Sequence, residues 1–148
     1  MFGLFKKKPA TYPPESHWSV CRGTHNGKPM FLRRNDSAAQ LSGHNEFRSR
    51  VGIAVPLRAP NADGLPEEEE LNQLNAIEDS LASRLEAEQK SLQVLAITTS
   101  GMREFIFYTR DSEAARLVLE ALRSEVTSHE LQSYIAEDPK WALYCEFA

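Results

Sequence analysis

The 148-residue sequence predicts one α+β domain over residues 16–148 behind a short tail at residues 1–15. Three observations predict it. Asn26-Gly27 sits between two strand-like runs, and both residues tolerate the positive φ of a hairpin turn. Two stretches repeat apolar residues at spacings of three and four, the period of a half-buried helix. Between them lie two adjacent strand-like runs joined by Ser100-Gly101.

Taken in order, residues 1–15 hold Pro9, Pro13 and Pro14 without periodicity and read as a flexible tail. Met1 to Lys8 places its apolar part before its basic part, the reverse of a secretory leader. His17 to Arg22 and Lys28 to Arg34 are the hairpin strands. Residues 35–46 are small and polar, a loop with room for one helical turn. Phe47 to Leu57 is a third strand, with Val51, Ile53, Val55 and Leu57 on one face and Arg48, Arg50, Gly52 and Ala54 on the other. Pro66 suits a first helical position, and Glu67 to Glu70 suit the positive end of a helix dipole. Leu71, Leu74, Ile77, Leu81 and Leu85 form the stripe of a helix expected from Pro66 to Gln89. Leu92–Thr99 and Arg103–Thr109 form a second hairpin. Asp111 or Ser112 caps a helix with Ala115, Val118, Leu119, Leu122 and Val126 on its buried side. Residues 129–136 read as a last strand, and Trp141 to Phe147 as a short closing segment.

From Phe47 onward the order is β-α-β-β-α-β. That is a ferredoxin-like sandwich, with two crossovers placing both helices on one face of a four-stranded antiparallel sheet. The N-terminal hairpin is an addition, either extending the sheet at one edge or covering its open face.

No run of about 18 apolar residues offers a membrane span. Cys21 and Cys145 are too few and too far apart for a disulfide framework; both lie among apolar residues and read as small buried hydrophobes of a cytoplasmic protein. The net charge of −4 hides a division. Residues 1–58 carry ten Lys/Arg against three Asp/Glu, and residues 59–148 carry seven against eighteen. The two parts either compensate each other or offer a basic strip to an acidic partner.

Motifs of catalysis are absent: no phosphate-binding Gly-rich loop, no Gly-x-Ser-x-Gly, no Cys-x-x-Cys, no His-Glu-x-x-His. The four histidines follow no metal-ligand spacing, so neither a metal nor a cofactor is expected. Glu67 to Glu70 point in successive directions around a helix and read as a solvated helix start. RNA binding through Phe105 or Tyr108 with Arg48, Arg50 and Arg103 on an open sheet face is disfavoured by the pI of 5.6. The most suggestive segment is Asp138-Pro139-Lys140-Trp141-Ala142-Leu143-Tyr144. Its rings either close the core or line a shallow pocket with Arg34 or Arg50. The candidate binding surface is Trp18, Arg34, Arg50, Trp141 and Tyr144.

Trp18, Asn26-Gly27, Ile53-Ala54-Val55-Pro56, Gly64-Leu65-Pro66, Arg103 to Tyr108 and Asp138 to Tyr144 together resemble the bacterial family known as domain of unknown function 695. The resemblance spans Trp18 to Phe147 and implies no catalytic residue. Some relatives look joined to a domain similar to regulator B of ribonuclease E, a protein inhibitor, which by analogy favours protein regulation. The reading is therefore a non-enzymatic protein-binding or regulatory module. An enzyme or small-ligand binder using an aromatic/Arg pocket, and RNA binding, are the alternatives. An exposed sheet face equally suits a homodimer.

Overall fold

In the computed structural model, which describes residues 11–13 and 15–147, a six-stranded antiparallel sheet carries helices on one face and a closing layer on the other. The tail expected at residues 1–15 lies mostly outside the described residues. The strands are β1 (Trp18–His25), β2 (Lys28–Asn35), β3 (Ser49–Pro56), β4 (Ser91–Thr99), β5 (Met102–Thr109) and β6 (Gln132–Glu137), in the order β1-β2-β4-β5-β3-β6. The helices are α1 (Glu68–Leu85), α2 (Ser112–Glu125) and the five-residue α3 (Ala142–Glu146). None is long and apolar enough to cross a membrane.

Local chemistry accounts for the turns. Asn26 and Gly27 take φ of 52° and 78°, and Ser100 and Gly101 repeat those values, so both hairpins close with two left-handed residues. Of the two placements open to the first hairpin, the structure shows extension: β2 pairs with β4, from Met30 opposite Thr99 to Arg34 opposite Leu95.

The helical face buries Val51, Ile53, Val55 and Leu57 of β3 and its exit, as the alternation predicts, against Leu74, Ile77, Leu81 and Leu85 of α1 and Ala115, Leu119 and Leu122 of α2. Asp111 caps α2 by accepting a hydrogen bond from the Ala114 N–H at 2.9 Å. A bulge in β4 between Gln93 and Leu95 explains its unbroken apolar run. One extra residue lets neighbouring Val94 and Leu95 both join the opposite core, while Gln93 reaches α1 through Glu78.

That opposite core is covered by a 3-10 turn over Asp36–Leu41, by Phe47 and by the C-terminal segment. Much of the face expected to be open is thus occupied.

Three boundaries differ from expectation, and Cys21 and Cys145, expected to be buried, are exposed. α1 ends at Leu85, because Glu88 and Gln89 adopt φ of 57° and 56° to turn the chain into β4. It also begins at Glu68, two residues after Pro66. The last strand begins at Gln132 because His129 is drawn inward: its Nε2 lies 2.6 Å from Glu70 Oε2. Glu70 is accordingly 6% exposed, unlike the solvated start expected of Glu67 to Glu70. It accepts the backbone N–H groups of Arg58 and Ala59 and ties the exit of β3 to α1.

Candidate functional site

The C-terminal segment resolves the choice between core and pocket at Trp141 and Tyr144. Trp141 is 0% exposed and Tyr144 1%. Trp141 stacks on Tyr108 at 4.0 Å and meets Tyr144 edge-on at 5.5 Å. Both polar tips find partners: Trp141 Nε1 donates to the Phe47 carbonyl at 2.8 Å, and the Tyr144 hydroxyl donates to the Asn35 carbonyl at 2.7 Å. The rings fill the sheet face and leave no room for a partner's side chain between them.

Asp138 holds this arrangement. One oxygen accepts from the Ala142 N–H at 2.7 Å. The other accepts from the Tyr108 hydroxyl at 2.7 Å, Arg50 Nη1 at 2.8 Å and the Leu143 N–H at 3.3 Å. Burial pushes its carboxyl pKa up, but those donors together outweigh burial and hold it below its ordinary value. Trp141 sits at φ 56°, a left-handed conformation costly for a large side chain, and the Asp138 turn fixes it there through the Trp141 N–H to Asp138 carbonyl bond.

Arg50 and Arg34 are tied to the same layer. Arg50 pairs with Asp138, lies 5.6 Å from the Tyr134 ring centroid and donates from Nε to the Tyr134 hydroxyl. Tyr134 lies over Gly52, where an added Cβ would stand 2.2 Å from its ring. Arg34 lies 4.1 Å from the Tyr144 ring centroid and pairs with Asp36 at 2.7 Å. Of the five candidate residues, Trp18 alone is exposed, at 36%. It stands on the edge strand β1, opposite Asn35 of β2, with the Arg33 guanidinium 5.6 Å from its ring centroid. The rings proposed for RNA stacking, Phe105 and Tyr108, are both 0% exposed, so neither offers a face to a base.

A model of the family of unknown function DUF695 matches residues 16–148. The chain belongs to this family. No curated protein and no solved structure matches it.

Within this DUF695 chain, Trp18 marks a surface that motif reading approached only through that one residue. Among the described residues β1 pairs with β2 alone, and no strand lies on its outer edge. Val20 is 69% exposed. Residues 17–35 contain no Asp or Glu. Arg33 is neutralised by Glu78 of α1 at 2.6 Å, whereas Arg22 and Lys28 form no ion pair among the described residues. Behind Trp18, a cavity of about 310 Å³ runs between the chain at Tyr12–Pro13, the ends of β1, β2 and α1, and the start of β4. Tyr12, Asn35 and Glu86 line it, and sequence spacing relates none of them. Among the described residues no group of three or more His, Cys, Asp or Glu is gathered to hold a metal.

Ser128, His129 and Glu70 form a hydrogen-bonded string, with Ser128 Oγ 3.0 Å from His129 Nδ1. It is a tie between elements. The His129 side chain is 0% exposed, and both Glu70 oxygens already hold backbone N–H groups.

Proposed function

We propose that this DUF695 chain is a non-enzymatic protein-binding module whose recognition element is the β1–β2 hairpin, and that its partner presents an acidic, extended segment. The unit from β3 to β6 reads as a ferredoxin-like scaffold, supported by its strand order β4-β5-β3-β6 and the two helices packed on one face. The hairpin is the addition that the scaffold displays.

One observation carries the reading: among the described residues, an exposed edge strand has no strand partner on its outer side and adjoins two cations, Arg22 and Lys28, that form no ion pair. A free edge presents backbone N–H and C=O groups ready to pair with another strand. Proteins ordinarily blunt such edges with a charge, a bulge or a cover. β1 has one basic residue, Arg22, beside exposed Val20 and Trp18. An incoming strand would draw affinity from main-chain bonds and selectivity from Arg22, Lys28 and the Trp18 and Val20 surfaces.

Selection from a random displayed-peptide library tests this. Wild-type protein is expected to enrich acidic sequences with alternating apolar residues, and the double variant Arg22→Glu/Lys28→Glu to lose that enrichment. No enrichment on wild-type protein, or equal enrichment on the variant, overturns the reading.

A further inference from the structure

The cavity behind Trp18 combines a missing positive charge with an aromatic wall, and one kind of ligand would suit both. Glu86 accepts the Gln93 N–H at 3.0 Å, but no Lys or Arg pairs with it among the described residues. Glu15 adds a second carboxylate, and no basic residue lines the cavity. Burial raises the Glu86 pKa above its ordinary value, as expected of a carboxylate short of a counter-ion. The aromatic wall is made by Tyr12 and by Trp18, whose ring centroid also lies 5.6 Å from the Arg33 guanidinium.

We propose that this cavity is a binding site for an alkylguanidinium group. Its charge compensates Glu86, its N–H donors fit a carboxylate, and its planar face suits the Trp18 and Tyr12 rings. A guanidinium fits better than an ammonium because it offers five donors in one plane and is less strongly hydrated. The volume of about 310 Å³ lies at the lower end of small-ligand sites, roughly 300–1,000 Å³. The same head group occurs on free alkylguanidines and on arginine side chains of peptides. The cavity adjoins the strand edge: Trp18 of β1 belongs to both, whereas Glu86 belongs to the cavity alone.

The full chain contains two tryptophans, which makes a direct test available. Trp18 lines the cavity, whereas the Trp141 indole N–H is buried against the Phe47 carbonyl. Titration with butylguanidine, followed by the two indole ¹H–¹⁵N signals, is expected to shift the Trp18 signal saturably and leave that of Trp141 in place. Butylurea, neutral and nearly the same shape, is expected to bind at least about tenfold more weakly. Glu86→Gln, which keeps an acceptor for the Gln93 N–H, is expected to weaken butylguanidine about tenfold and to leave butylurea unchanged. Acetyl-Gly-Arg-Gly-amide in parallel separates the sources: tighter binding than butylguanidine assigns the site to a peptide arginine, equal or weaker binding to a free small molecule. No saturable Trp18 shift, equal binding of butylurea, or unchanged affinity in Glu86→Gln overturns the proposal. Trp18→Ala, at an exposed position, supplies a folded control that loses the stacking surface.

Discussion

Replacing Asp138 by Ala removes the acceptor on which the C-terminal closure depends. The carboxylate is 7% exposed and takes four hydrogen bonds, from Tyr108, Arg50, Ala142 and Leu143. The Tyr108 hydroxyl is left in a ring that is 0% exposed, and an orphaned buried hydroxyl costs about 1–3 kcal/mol. Breaking a buried ion pair costs about 3–5 kcal/mol, but the Arg50 side chain is 24% exposed and can regain water, which places its share low in that range. The two backbone N–H groups at the start of α3 lie near the surface and rehydrate in part. The net expectation is a loss of about 3 kcal/mol, or about 6–12 °C in Tm for a chain of this size. Urea unfolding read by Trp141 fluorescence measures it, with a lower midpoint and an unchanged slope. Tyr108→Phe, which removes one hydroxyl and keeps the stack, is expected to lose only about 1 kcal/mol. A loss below about 1 kcal/mol for Asp138→Ala would refute the view that this carboxylate holds the layer, given the range for buried ion pairs.

Four other outcomes follow from the same structure. Acid weakens the fold in a defined window: the folded-state pKa values of Asp138 and Glu70 lie below their ordinary values, with burial opposing and the accepted hydrogen bonds prevailing. Their stabilisation is therefore complete above the unfolded values of about 3.9 and 4.3 and is lost as pH falls below them; Asp138→Asn flattens that profile in urea titrations. Gly52→Ala drives Tyr134 off the sheet and costs about 1–3 kcal/mol, and in the Gly52→Ala/Tyr134→Ala double variant most of the clash cost disappears, visible as a non-additive double-mutant cycle. Glu86 has a raised pKa because burial disfavours its charge, so Glu86→Gln gains stability at neutral pH, by under about 1 kcal/mol after solvent screening, and the gain fades below the unfolded pKa. Trp141→Ala, which empties a wholly buried and stacked position, costs about 3–5 kcal/mol in the same unfolding assay.

The elements that sequence shows clearly are those whose local chemistry and burial agree. Val51, Ile53 and Val55 alternate because one face of β3 is under helices, and Asn26-Gly27 turns because those residues accept positive φ. Sequence misleads where a distant partner decides. Residues 86–90 continue a helical composition, yet the chain turns at Glu88 to enter β4. His129 alternates like a strand residue, but Glu70, 59 positions earlier, claims its ring. The aromatic end was legible as a unit, though its burial depends on Asn35, Phe47 and Tyr108 arriving from three separate stretches of chain. The cavity was illegible for the same reason. Tyr12, Asn35 and Glu86 share no motif.

The central claim, that β1 is where a partner binds, is tested most directly by photo-crosslinking in the native host cell. A benzophenone amino acid at Val20, on the free edge, is compared with one at Leu117, 53% exposed on α2. The account predicts a discrete protein adduct from position 20 that is absent from position 117, and whose crosslinked segment in the partner is acidic. Adducts of equal yield and identity from both positions, or none from position 20, would contradict it.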